Sequence, residues 1–92
     1  MNFDTRTIID LVKLDETVTK DFISMIKEEQ LFSEKIEQYD YDVFVDSIVL
    51  LLKDRLKFFI KNNLKKIGLP ILKGRVNIDN VDFKLFVNEI QK

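Results

Sequence analysis

The stretch DVFVDSIVLLLKDRLKFFIKNNLKKIGLP, residues 42–70, decides the fold because it predicts one long helix with both ends marked in the sequence. Asp40 and Asp42 stand ahead of the apolar run, where a short carboxylate accepts hydrogen bonds from unpaired first-turn amides. Gly68 can close the helix in the left-handed conformation, and Pro70 cannot continue it. About 26 helical residues span roughly 40 Å, the length of a small domain. We therefore predict that this helix is central.

The composition is typical of one folded domain covering residues 1–92, since 46% of the residues are hydrophobic and can form a core. The absence of cysteine excludes disulfides and thiolate metal sites and is typical of an intracellular protein. Asp4 and Asp10 interrupt the N-terminal residues before any apolar run, which indicates neither a signal peptide nor a membrane span. We expect a soluble, cytoplasmic protein.

Two shorter helices are predicted ahead of the central one. The first begins at Asp4 or Thr5 and ends near Asp15, and the second runs from Thr17 or Thr19 to about residue 38. Short polar joins predict that neighbouring helices are antiparallel. The predicted apolar face of the first helix is Ile8, Ile9, Leu11, Val12 and Leu14, and that of the second is Val18, Phe22, Met25, Ile26, Phe32 and Ile36.

The central helix has more apolar residues than one buried face needs. Val43, Leu50 and Phe58 point away from its main apolar stripe, and a domain of this size has few helices to cover them. We predict that these three residues bind another protein. The main stripe comprises Phe44, Ile48, Leu51, Leu52, Leu56, Phe59, Ile60, Leu64 and Ile67.

The remaining residues predict a short hairpin or extended segment at 71–78 and a last helix capped by Asp79 or Asn80. The apolar spacing in that helix places four residues on one face: Phe83, Phe86, Val87 and Ile90. The predicted fold class is all-α, a small four-helix domain around residues 42–67, with any β structure confined to 71–78.

No residue pattern indicates catalysis. Histidine is absent, and the serines stand in ordinary helical sequence without an activating base. Asp40, Asp42 and Asp46 are better interpreted as helix-capping acids than as a cation site, because no calcium-binding loop surrounds them. We expect no enzyme activity, cofactor, metal or small-molecule substrate.

Charge is strongly segregated. Residues 53–75 carry eight basic side chains against one acidic, net +7, while residues 1–52 carry five against twelve, net −7. Lys57, Lys61 and Lys65 recur every four residues and form a basic ridge on the central helix. The ridge is either a solvated face balanced by nearby glutamates or a contact for phosphates or an acidic protein. The candidate contact residues are Lys57, Lys61, Lys65, Lys66, Lys73 and Arg75.

The chain resembles the small helical accessory subunit of the B-family DNA polymerase holoenzyme of thermoacidophilic crenarchaea. The resemblance lies in its size, its predicted all-helical structure and the sequence of residues 41–68. The resemblance implies a non-catalytic subunit of a thermophilic archaeon that binds and stabilises the polymerase, with indirect or weak DNA contact. The run LLKDRLKFFIKNNLKK also resembles the helical part of archaeal replication-complex subunits of the GINS type.

The predicted function is therefore a non-catalytic accessory subunit that binds a larger nucleic-acid-processing protein, most specifically a replicative DNA polymerase. Two alternatives remain open. One is a phage- or virus-encoded regulator that inhibits a host protein through the acidic N-terminal half. The other is a helical homodimer in which residues 43–52 pair with their own copy.

Overall fold

The computed structural model describes residues 3–35, 40–66 and 77–92, with only the backbone of 64–66. The helices in this part of the chain are α1 (Thr5–Leu14), α2 (Glu16–Glu34), α3 (Tyr41–Lys66) and α4 (Phe83–Ile90). α3 has 26 residues, which makes it roughly 40 Å long. The prediction of an all-α, four-helix domain around one long helix is confirmed.

Asp15 alone connects α1 to α2. Its carboxylate accepts the Val18 backbone N–H at 3.1 Å and caps α2, while its own N–H donates to the Val12 carbonyl at 3.0 Å and closes α1. The Thr19 hydroxyl donates to that same carbonyl at 2.7 Å. The two helices contact each other across this one-residue join, and their antiparallel orientation stays a prediction. α2 begins earlier than predicted because Asp15, rather than a threonine, is its cap.

Replacing Asp15 with alanine should lower the free energy of unfolding by about 1 kcal/mol, because the first amides of α2 lose their acceptor. Asp15→Asn keeps an oxygen at the same place and should stay within about 0.5 kcal/mol of the parent. Urea denaturation followed by circular dichroism measures both. An alanine variant as stable as the parent would show that this cap contributes nothing.

α3 begins after Asp40, as the acidic residues predicted. The Asp40 carboxylate accepts backbone N–H groups from Asp42 at 2.9 Å and Val43 at 3.2 Å. The buried side of the helix, which we call its inner face, comprises Phe44, Val45, Ile48, Leu52, Leu56, Phe59 and Ile60.

One residue predicted to be buried on this side, Leu51, is not buried. Leu51 is 43% exposed, whereas Val45, which was not predicted, is 1% exposed. The reason is that the inner face is centred on Leu52 and Leu56, where α2 and α4 pack, and Leu51 lies about 100° around the helix from Leu52. Leu51 therefore lies at the edge of the solvent-facing side.

Asp82 caps α4 and connects it to α1. Its carboxylate accepts a first-turn backbone N–H at 3.1 Å, and its own N–H donates to the Thr5 hydroxyl at 2.9 Å. The predicted cap, Asp79 or Asn80, was wrong because residues 78–81 form a turn before the helix begins. The four residues predicted to be buried on α4 are all buried.

The core is formed by α1, α2, α4 and the inner face of α3. The rings of Phe22 and Phe86 meet edge to face with centroids 5.3 Å apart. Phe32 was predicted to lie in this core, but it is 64% exposed. The last buried residue of α2 is Ile26, so the C-terminal part of that helix lies outside the core. Leu14, predicted on the apolar face of α1, is 84% exposed at the end of that helix.

Several predictions fall on residues outside the described part of the chain. These are the Gly68 cap, Pro70, and residues 71–76 of the predicted hairpin. Ile36 and Ile67 lie there too, and the Leu64 side chain is likewise outside the described atoms. The predicted end of the second helix near residue 38 was wrong, because α2 ends at Glu34 and the Lys35 backbone N–H donates to the Phe32 carbonyl at 3.3 Å.

Candidate protein-interaction surface

The side of α3 opposite the core carries a row of exposed residues. Leu50 is 76% exposed, Phe58 69% and Val43 66%, as their positions off the main stripe predicted. Leu51 joins them at 43%. We define the outer face of α3 as Val43, Ser47, Leu50, Leu51, Asp54 and Phe58.

The spacing of these residues explains why they share one side. Val43 and Leu50 are seven residues apart, and so are Leu51 and Phe58, which corresponds to nearly two helical turns. Among the described elements α3 contacts α2 and α4, and both pack on its inner face. The outer face is left open to solvent, and exposed apolar clusters of this kind mark interaction sites.

A groove of about 450 Å³ lies between α2 and α3, next to the outer face. Phe22 and Phe59 are buried and form its apolar floor, while Asp21 and Arg55 supply polar groups at its rim. Phe58 lines this groove and also belongs to the outer face, so a chain lying along α3 could cover both. The lining residues are Val18, Asp21, Phe22, Asp54, Arg55, Phe58, Phe59 and Asn62.

Lys57 and Lys61 of the predicted basic ridge flank the outer face and are half-buried. Within residues 3–35, 40–63 and 77–92 neither lysine forms an ion pair, including with the glutamates of α2. The other candidate contact residues lie outside the described side chains: Lys65, Lys66, Lys73 and Arg75.

Two ion pairs, neither of them predicted, attach α3 to the segment that contains α4. Lys53 lies 3.4 Å from Asp79, and Asp42 lies 3.5 Å from Lys84. The Tyr41 hydroxyl donates to the Lys84 carbonyl at 3.5 Å. These contacts lie at the edge of the packing between α3 and α4, on the surface and away from the outer face.

The acidic residues at the start of α3 do not assemble a metal site in the described part of the chain. Asp40 is used as a cap and Asp42 pairs with Lys84, whereas Asp46 is exposed and forms no ion pair with any described residue. Asp46 is therefore a charge that can face a partner.

Leu51 and Arg55 belong to this surface, although sequence reasoning did not place them there. The sequence did contain an indication for Leu51. It lies seven residues before Phe58, just as Val43 lies seven residues before Leu50, and this spacing places each pair on the same side of a helix. Arg55 was counted only within the basic segment, and its place at the groove depends on where α2 packs.

None of the described helices is long and apolar enough to cross a membrane. Comparisons with protein-family models, curated proteins and solved structures find no match for this chain.

Proposed function

We propose that this chain is a non-catalytic interaction domain that binds another protein through the outer face of α3. The observation that carries the proposal is the exposure of Val43, Leu50 and Phe58 on a helix whose opposite side forms the core. Removing apolar surface from water is favourable by about 25 cal/mol per Å². A partner chain along α3 would gain that free energy without disturbing the core.

The lysines beside the outer face have a different role in this proposal. Lys57 and Lys61 orient the partner and raise the rate of association with an acidic surface, while the apolar residues provide the affinity. Because exposed charges are screened by salt, their contribution falls as ionic strength rises. Replacing the basic ridge by glutamine should therefore slow association mainly at low salt.

The partner proposed from the sequence resemblance is a larger nucleic-acid-processing protein, most specifically a replicative DNA polymerase. The net charge of +7 over residues 53–75 supports a partner that works near nucleic acid. The identity of the partner stays a prediction.

The test is a reconstituted complex. The partner is isolated from the native host with the tagged chain, identified by mass spectrometry, and purified separately. Leu50→Asp should then weaken its binding by about 100-fold or more, because a charge is forced into the apolar contact. Circular dichroism should show unchanged helix content.

Leu31→Asp is the matched control, because Leu31 is 60% exposed on α2 and faces away from the core. It introduces the same charge at a comparable exposure and should leave binding within a factor of about two. Equal binding by the parent and Leu50→Asp would contradict the proposed function.

A further inference from the structure

The apolar residues of the outer face are symmetrical about the midpoint between Leu50 and Leu51. Val43 lies seven residues before Leu50, and Phe58 lies seven residues after Leu51. A second copy of α3 running antiparallel across this midpoint would place Val43 opposite Phe58 and Leu50 opposite Leu51. Each apolar side chain of the outer face would then meet an apolar side chain.

The polar residues of the outer face follow the same symmetry. Ser47 lies three residues before Leu50 and Asp54 three residues after Leu51, so the antiparallel copy places Ser47 opposite Asp54. The Ser47 hydroxyl, which in the single chain donates to the Phe44 carbonyl at 2.6 Å, can rotate to donate to that carboxylate. The antiparallel arrangement would therefore allow a hydrogen bond between these two polar residues.

The charges beside the outer face are complementary in this arrangement. Asp46 and Lys57 are eleven residues apart, about three turns, so they lie on the same flank of α3. A two-fold axis between antiparallel helices brings like flanks together. Asp46 of one copy then lies beside Lys57 of the other, with an offset along the helix of roughly 3 Å that a lysine side chain can span.

We infer that the outer face of α3 binds a second copy of this chain, in an antiparallel pair of α3 helices related by a two-fold axis. The inference rests on the proposed function and names the partner of that same surface. In a parallel pair the two-fold axis runs along the helices and brings opposite flanks together, so Asp46 would not lie beside Lys57 of the other copy. The charges therefore select the antiparallel orientation.

Sedimentation velocity over a range of micromolar concentrations tests the pair. The parent should approach twice the mass of the 10.9 kDa chain as concentration rises. Asp46→Lys alone and Lys57→Asp alone should each weaken dimerisation by about tenfold, because each puts like charges together twice per dimer. The double variant, Asp46→Lys with Lys57→Asp, should regain the parental dissociation constant.

Circular dichroism of each charge variant provides the control for folding, since both positions lie outside the core. An antiparallel pair also predicts that a mixture of the two single variants forms a heterodimer, although each alone is mostly monomeric. A parent that stays monomeric throughout, single variants that dimerise like the parent, or a double variant without recovery would overturn the inference.

The outcome also separates this inference from the proposed function. If the chain is monomeric but Leu50→Asp still abolishes binding to a different purified protein, the homodimer is wrong and the proposed function holds. If a dimer forms and Leu50→Asp leaves it and every other complex intact, the outer face is not a binding surface and both fail.

Discussion

Replacing Leu52 with aspartate should unfold the domain. Leu52 is fully buried on the inner face of α3, so a carboxylate there would lose its hydration without gaining a partner. An unpaired buried charge costs several kcal/mol, which approaches the total stability of about 5–15 kcal/mol typical of small domains. Far-UV circular dichroism should show the loss of most of the helical signal at neutral pH.

Leu50→Asp is the matched control, because it makes the same substitution two residues away on a side chain that is 76% exposed. It should keep the parental helix content and, at concentrations where the parent is monomeric, the parental unfolding midpoint. If Leu52→Asp remains folded, or if Leu50→Asp unfolds as well, then the division of α3 into an inner and an outer face is wrong.

Phe86→Ala should lower the free energy of unfolding by about 3–5 kcal/mol, the usual cost of removing a buried phenylalanine ring. Phe86 is fully buried and meets Phe22 edge to face, so its loss leaves a cavity where α2 and α4 pack. Aromatic pairs of this geometry contribute about 0.5–1.5 kcal/mol beyond the area that they bury. Urea denaturation measures the change.

Phe58→Ala is the corresponding control on α3. Its ring is 69% exposed, so at concentrations where the chain is monomeric the free energy of unfolding should change by no more than about 0.5 kcal/mol. Equal losses of stability in the two alanine variants would mean that Phe58 is part of the core. Phe58 would then not belong to the outer face.

The helices could be predicted from the sequence because their signals are local. In α4 the spacing of Phe83, Phe86, Val87 and Ile90 predicted the buried face, and all four are buried. The start of α3 was equally well marked, because Asp40 caps it through hydrogen bonds to nearby amides. Such patterns depend on residues within a few positions of each other.

Burial was predicted wrongly for residues whose burial depends on where a neighbouring helix packs. Leu51 and Val45 are both apolar residues of one helix, and the positions of α2 and α4 decide which is buried. Phe32 has the right spacing for the core, but the buried part of α2 ends before it. Helical periodicity gives the direction of a side chain and not the extent of the packing beside it.

The candidate surface was predictable in part. The apolar residues of α3 extend over more of its circumference than one buried face, which is why the exposure of Val43, Leu50 and Phe58 followed from the sequence. The ion pair of Lys53 with Asp79 joins residues 26 positions apart, and local patterns do not indicate such pairs.

The central claim is that another protein chain lies against the outer face of α3, and site-specific photo-crosslinking in the native host tests it most directly. A benzophenone amino acid would replace Leu50 in one variant and, as the control, Leu31 in another. We expect a strong crosslink to one defined chain from position 50 and none from position 31, and mass spectrometry would show whether that chain is a second copy. No crosslink from position 50, or the same products from both positions, would contradict the claim.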